Sequence, residues 1–169
     1  MMGLVNPVSN FIQSLTLRAF SDWRVTGREN VPPMGPLIIV ANHLSYLDGS
    51  LLSTSISRKT WFLAKKGLFK WPVSSWFFRS YGAFPLDRKR ADPGAFRWAL
   101  GQLRRGQAIV LFPEGTRSRG AMRKAQNGVT RLALAAQTPL LPVGIDVVAQ
   151  FVGAAIFHGL ADMAFWRLA

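Results

Sequence analysis

Short apolar runs alternate with longer mixed stretches along the 169-residue chain. Residues 37–41 (LIIVA), 61–64, 108–112 and 140–145 are nearly continuous apolar runs. That is the pattern of strands buried on both faces. Residues 83–86 form a shorter extended piece, and residues 23–25 read as a short edge strand. Between these runs the period changes. Over residues 8–20, Phe11, Leu15 and Phe20, with Ile12 and Leu17 beside them, give the broad apolar stripe of an amphipathic helix. Residues 47–56 and 128–136 are also expected to be helical. Asp92 caps a further helix that opens with Pro93 and ends at Gly106. Residues 29–36 are a Pro/Gly turn region, and residues 65–81 alternate basic and aromatic side chains, with a break at Pro72.

Strands alternating with helices predict a single-domain α/β fold, a mostly parallel sheet flanked by helices, with an amphipathic helix at the N-terminus. The expected organisation is an N-terminal membrane-proximal helix over residues 1–22, a main domain over 23–145 and an apolar segment over 146–169. Ligands of such sheets bind beyond the carboxyl ends of the strands. The loops after Ala41 and Phe112 lie there, and they carry the most chemistry in the sequence.

Charge sharpens the picture. The formal net charge is +13, and residues 58–131 hold seventeen Lys and Arg against three acids. Such a field draws polyanions, either nucleic acid or an anionic membrane surface. Six Trp and 12 Phe favour the membrane, because Trp concentrates at lipid–water interfaces. No nucleic-acid module is recognisable, and nucleic acid is not an expected partner. The absence of cysteine excludes disulfides, thiolate metal sites and a cysteine nucleophile. The first residues lack a basic run before an apolar one, so no cleavable signal peptide is expected. No stretch reaches the ~20 apolar residues of a spanning helix.

Four segments carry candidate chemistry. In Asn42-His43-Leu44-Ser45-Tyr46-Leu47-Asp48, an acid follows a histidine by five positions. On one continuous helix that spacing turns about 500°, and the side chains diverge. With His43 in a strand-to-helix turn and Asp48 in the first helical turn they can meet. The carboxylate would then fix the imidazole tautomer and leave the other nitrogen as a base. On spacing alone the plainer reading, a polar loop histidine and a capping carboxylate, is the stronger one. In Phe112-Pro113-Glu114-Gly115-Thr116-Arg117-Ser118-Arg119, a Gly turn with Arg forks suits phosphate. Glu114 argues against a pure anion site there and is expected to orient Arg117 or an acceptor. Arg88, at the end of Gly82-Ala83-Phe84-Pro85-Leu86-Asp87-Arg88, is either a phosphate ligand or part of a solvated basic turn with Lys89 and Arg90. Thr138-Pro139-Leu140-Leu141-Pro142-Val143 is a core strand after a turn.

Taken in order, these segments resemble the four successive blocks of the glycerolipid acyltransferases, and most nearly the bacterial 1-acylglycerol-3-phosphate acyltransferase branch. The blocks are His-x4-Asp, Gly-x-Phe-x-x-x-Arg, Phe-Pro-Glu-Gly-Thr-Arg-Ser and a Pro-rich apolar strand. The flanking Val25-Thr26-Gly27-Arg28-Glu29-Asn30-Val31-Pro32, Ala64-Lys65-Lys66 and Leu68-Phe69-Lys70 fit the same branch, so the likeness runs over residues 23–145. The resemblance implies His43 as general base and Asp48 as its orienting partner. It implies Arg88 on the acceptor phosphate, and Glu114, Gly115, Thr116 and Arg117 as the acceptor-binding loop. It implies no metal or prosthetic group; the donor would be acyl-CoA or acyl-ACP and the acceptor the lysophospholipid 1-acylglycerol-3-phosphate, the alternatives being another lysolipid, glycerol 3-phosphate, or a non-catalytic basic membrane-binding protein. The expected place is the cytoplasmic face of the cell membrane, on anionic lipid.

The chain departs from the family pattern twice. Many relatives carry a basic residue closely before the helix Gly, where this chain has Arg123-Lys124-Ala125-Gln126-Asn127-Gly128. Residues 146–169 are apolar and unlike the family's further strand, as a truncated or divergent end would be. Residues 147–168 read as a helix, with His158 in a non-catalytic place and Trp166 and Arg167 as an interfacial anchor. Residues 65–79 read as a docking surface, rings entering the interface and cations meeting anionic lipid.

Overall fold

Five of the apolar runs become parallel strands because helices cover both faces of the sheet they form. The computed structural model describes residues 4–88, 91–118, 121–146 and 165–168. The strands are β1 (Leu37–Ala41), β2 (Thr60–Lys65), β3 (Ala83–Leu86), β4 (Ala108–Leu111), β5 (Leu140–Asp146) and β6 (Phe165–Leu168). They lie in the order β3-β2-β4-β1-β5-β6, and only β6 runs antiparallel. Central β1 pairs Ile39 with Val110 of β4 and with Leu141 of β5. Ile38, Ile39 and Ile109 are fully buried, which explains why these segments show no polar alternation.

Helices α1 (Val5–Phe20), α2 (Asp48–Ser55) and α3 (Pro72–Tyr81) belong to one face, where Leu17, Leu51, Leu52 and Tyr81 join the core under Ile39 and Val110. Helices α4 (Pro93–Arg104) and α5 (Gly128–Ala136) cover the other, through Ala99, Leu103 and Leu132 on Ile38 and Ile109. Asp92 caps α4 by accepting from the Ala95 N–H at 3.0 Å, and Pro93 takes the first position. The chain leaves β1 toward β2 on one side and leaves β4 toward β5 on the other. The loops after β1 and β4 therefore lie against each other at the carboxyl end of the sheet, before the chain passes to α2 on one face and to α5 on the other.

Three expectations are corrected. Residues 23–25 form no strand; Trp23 and Val25 pack against the core, so their alternation reflects burial without a ladder. Helix α1 is amphipathic, but it sits with its polar side inward. Asn6 donates to Tyr81 O at 2.8 Å, Asn10 donates to Ser53 O at 3.0 Å, and Gln13 donates to the Ser50 hydroxyl at 3.1 Å. Of the expected stripe only Leu17 is buried, while Phe11, Ile12, Leu15 and Phe20 face outward. At the other end, the helix expected over residues 147–168 gives way at Phe165–Leu168 to β6, whose Arg167 and Trp166 pair with Gly144 and Ile145. His158, Lys89, Arg90 and Arg119 lie outside the described residues.

Candidate active site

β1 ends at Ala41, and α2 opens on Asp48 itself, so the loop between them turns His43 back toward the carboxylate. His43 Nδ1 and Asp48 Oδ2 are 2.8 Å apart. The same oxygen accepts the Leu44 N–H at 2.6 Å and the Ser45 N–H at 2.9 Å. An oxygen that already accepts two backbone N–H groups acts as an acceptor toward the ring as well, so Nδ1 donates and Nε2 keeps its lone pair. Asp48 is fully buried and His43 nearly so. The imidazole stacks on Phe112 at 4.2 Å between centroids.

The loop after β4 holds the histidine from the other side. Glu114 Oε1 accepts the His43 N–H at 3.0 Å, and the Ser118 N–H donates to His43 O at 2.8 Å. Glu114 Oε2 accepts the Arg123 N–H at 3.0 Å. Burial pushes the Glu114 carboxyl up, but the Arg123 and His43 N–H groups outweigh it and hold it below the ordinary carboxylate range. Gly115 has φ +68°, in the left-handed region that favours glycine. Asn42 completes the frame. Its amide donates to Ile145 O at 2.8 Å, and its oxygen accepts the Ile145 N–H at 2.7 Å. The side chain thereby adds a rung between the β1 loop and β5.

The arginines divide. Arg88 donates to Gly115 O at 3.2 Å, and partial burial lowers its pKa. Arg117 lies over the Tyr46 ring, its guanidinium carbon 3.5 Å from the centroid. Arg88 and Gly115 border an apolar cavity of about 580 Å³ with Phe112 and Phe96. Arg117 and Thr116 border a polar one of about 320 Å³ with Leu44 and Ser118. The structure thus brings His43, Asp48, Glu114 and Ser118 together and places Arg88 and Arg117 in different cavities. Among the described residues Glu114 and Arg117 form no ion pair; Glu114 binds main chain where an Arg partner was expected. Sequence reasoning missed Asn42, Tyr46, Phe112 and Ser118 as parts of this frame. Their adjacency to His43 and to the Gly turn was the available signal.

A buried imidazole held by a carboxylate at the carboxyl edge of a parallel sheet is an arrangement chemically able to take a proton from a hydroxyl. Residues 22–146 match the Acyltransferase family model, and the chain belongs to that family. It is similar to the chloroplastic 1-acyl-sn-glycerol-3-phosphate acyltransferase BAT2 of Brassica napus, with 33% identity over 77% of this chain and 39% of the relative. The 1-acyl-sn-glycerol-3-phosphate acyltransferase of Borreliella burgdorferi is 33% identical over 70% of this chain and 49% of the relative. The lyso-ornithine lipid O-acyltransferase of Pseudomonas aeruginosa is 32% identical over 77% and 52%. The crystal structure of the 1-acyl-sn-glycerophosphate acyltransferase PlsC from Thermotoga maritima aligns with a TM-score of 0.73 and 29% identity, over 97% of this chain and 66% of that one. The chain spans about half the length of the curated relatives it matches, or less.

Proposed function

We propose that this protein transfers a fatty acyl group from acyl-CoA or acyl-ACP to the free hydroxyl of 1-acylglycerol-3-phosphate, giving phosphatidic acid. The observation that carries this reading is the 2.8 Å His43–Asp48 pair. His43 Nε2 takes the hydroxyl proton as the oxygen attacks the thioester carbon. The carbon–sulfur bond breaks, and the thiolate leaves with the proton returned by the imidazolium. Asp48 stabilises that imidazolium. Both substrates supply the reacting atoms, so the step needs no metal or prosthetic group. Arg88, desolvated beside the Gly115 turn, suits an acceptor phosphate.

The acceptor lives in a bilayer, and two faces of the protein suit one. Helix α1 presents Val8, Phe11, Ile12 and Leu15 outward, Leu4 stands exposed just before it, and α3 with the preceding turn adds Trp71, Val73 and Trp76. Helix α1 packs against α3. Lys70 and Arg79 border the aromatic part and would meet anionic lipid. Among the described residues no helix is long and apolar enough to cross a membrane. We place the protein on the cytoplasmic leaflet, where acyl donors are found.

Similarity to a lyso-ornithine lipid acyltransferase supports a second reading, the same chemistry on an acceptor without phosphate. The test is thiol release from acyl-CoA with lysophosphatidic acid, lyso-ornithine lipid and glycerol 3-phosphate. The expected result is acceptor-dependent release, fastest with lysophosphatidic acid, falling roughly 10²–10⁴-fold in folded His43→Ala. An unchanged rate in that variant sinks the mechanism.

A further inference from the structure

Helix α1 meets α2 through polar side chains, and one of these leads to the base. Gln13 Nε2 donates to the Ser50 hydroxyl at 3.1 Å. That hydroxyl donates to Leu47 O at 2.9 Å. The Leu47 N–H donates to the Ser45 hydroxyl at 3.2 Å, and the Ser45 N–H donates to Asp48 Oδ2 at 2.9 Å. Asp48 Oδ2 is the atom that holds His43 Nδ1. A continuous series of hydrogen bonds thus runs from α1, through the turn before α2, to His43. Ser45 and Asp48 are buried and Gln13 is half-buried, so water has little access to replace these links. Tyr46 and Leu47 are exposed, so core packing does not set the position of this part of the turn. Leu51 and Leu52 anchor α2 further along, in the core. Its first turn is tied to α1 by Ser50.

We infer that Gln13 is a positioning residue for the His43–Asp48 pair, acting through Ser50 on the turn that presents Ser45 and Asp48. The role rests on the proposed general-base transfer and adds a residue to it from outside the four motifs. Hydrogen bonds weaken steeply as they bend, so this series selects one seating of α1 on α2. Thr54 offers a contrast. Its hydroxyl donates to Gln13 Oε1 at 3.0 Å, a bond that also joins the two helices but does not lead into the turn. The outward side of α1 carries the residues proposed for lipid, so the helix that docks the protein also completes the frame of its base.

Thiol release from acyl-CoA, with the fastest acceptor of the panel, is measured on the full chain. The set is wild type, Gln13→Met, Ser50→Ala, Ser50→Thr, Thr54→Val, the Gln13→Met/Ser50→Ala double variant and His43→Ala, each with a melting curve. Gln13→Met keeps the side chain's length and removes its amide. It should lower kcat about tenfold with both KM values unchanged, the effect of one lost hydrogen bond and a displaced base. Ser50→Ala should match it, while Ser50→Thr, which keeps the hydroxyl, stays near wild type. This pair reads the same series without altering α1. The double variant should be no slower than Ser50→Ala, because the two side chains act in series. Thr54→Val should leave kcat unchanged. His43→Ala reports on the general-base reading alone: a wild-type rate there sinks that reading. A slow His43→Ala beside a folded Gln13→Met of wild-type kcat overturns only the role of Gln13. That role is also overturned if Thr54→Val slows turnover as much as Gln13→Met, if Ser50→Thr is as slow as Ser50→Ala, or if the losses multiply in the double variant.

Discussion

Replacing Asp48 with Asn removes a charge and almost nothing else. The amide oxygen can still accept the Leu44 and Ser45 N–H groups that shape the loop. What it cannot do is offset the imidazolium formed when His43 takes the hydroxyl proton. In the native protein that cation lies 2.8 Å, nitrogen to oxygen, from a carboxylate. Asp48 has 0% exposure, so little water screens the pair. Two unit charges about 4 Å apart at an effective dielectric of about 20 attract by roughly 4 kcal/mol. At about 1.36 kcal/mol per factor of ten, kcat should fall about a thousandfold. KM for the acceptor should hardly move, because the carboxylate lies behind the ring and away from the substrate side. Thiol release under saturating acyl-CoA and acceptor reads kcat directly, and circular dichroism with a melting curve shows that the variant is folded. The His43→Ala/Asp48→Asn double variant should be no slower than His43→Ala alone, because the two residues act as one unit. A folded Asp48→Asn enzyme within about tenfold of wild type would refute the reasoning, since the pair would then supply less than ~1.4 kcal/mol.

Three further outcomes are expected. Asn42→Ala removes both hydrogen bonds to Ile145 and leaves that main chain unpaired; urea unfolding should show a loss of about 1–3 kcal/mol. The folded-state carboxyl of Glu114 is held below its ordinary value of 4.5. Its stabilisation is therefore full above that value and lost as pH falls through the lower folded one. Urea midpoints measured downward from neutral pH should fall more steeply in this window for wild type than for Glu114→Gln. Changing Phe11, Ile12 and Leu15 together to Ser should leave the melting temperature nearly unchanged, as these side chains are exposed. The same change should weaken sedimentation with anionic vesicles by about a hundredfold or more, given roughly 1.5–3 kcal/mol per apolar side chain inserted.

The parallel sheet was legible because strands covered on both faces have no polar alternation to disguise them. Residues 37–41, 83–86 and 128–136 emerge with their expected bounds. The His43–Asp48 pairing needed the order of four motifs, because a five-residue spacing alone fits a capping acid equally well. The orientation of α1 was not legible. Periodicity shows that a helix has two unlike faces and says nothing of which one meets the protein. Here Ser53 and Tyr81 decide, from 43 to 75 residues away. Glu114 was misread for a related reason: its partners are backbone N–H groups, which every residue carries and no residue letter reveals. The edge strand at residues 23–25 failed because Trp23 and Val25 are apolar for packing. Phe165–Leu168 was not legible as a strand because it lies at the end of the apolar run 147–168, which reads as one helix.

The Asn42 rung has a bearing on when this protein becomes competent. Asn42 is tied to Ile145 across 103 residues, and His43 to Glu114 and Ser118 across 71 and 75. Only the bond to Asp48 is local, at five residues. During synthesis the histidine and its acid emerge early, while the contacts that fix them wait for the far end of the domain. A nascent chain that stops short of Ile145 carries the whole motif and only a loose version of the site. Assembly of the base thus waits for Ile145, which leaves the ribosome about a hundred residues after the histidine does.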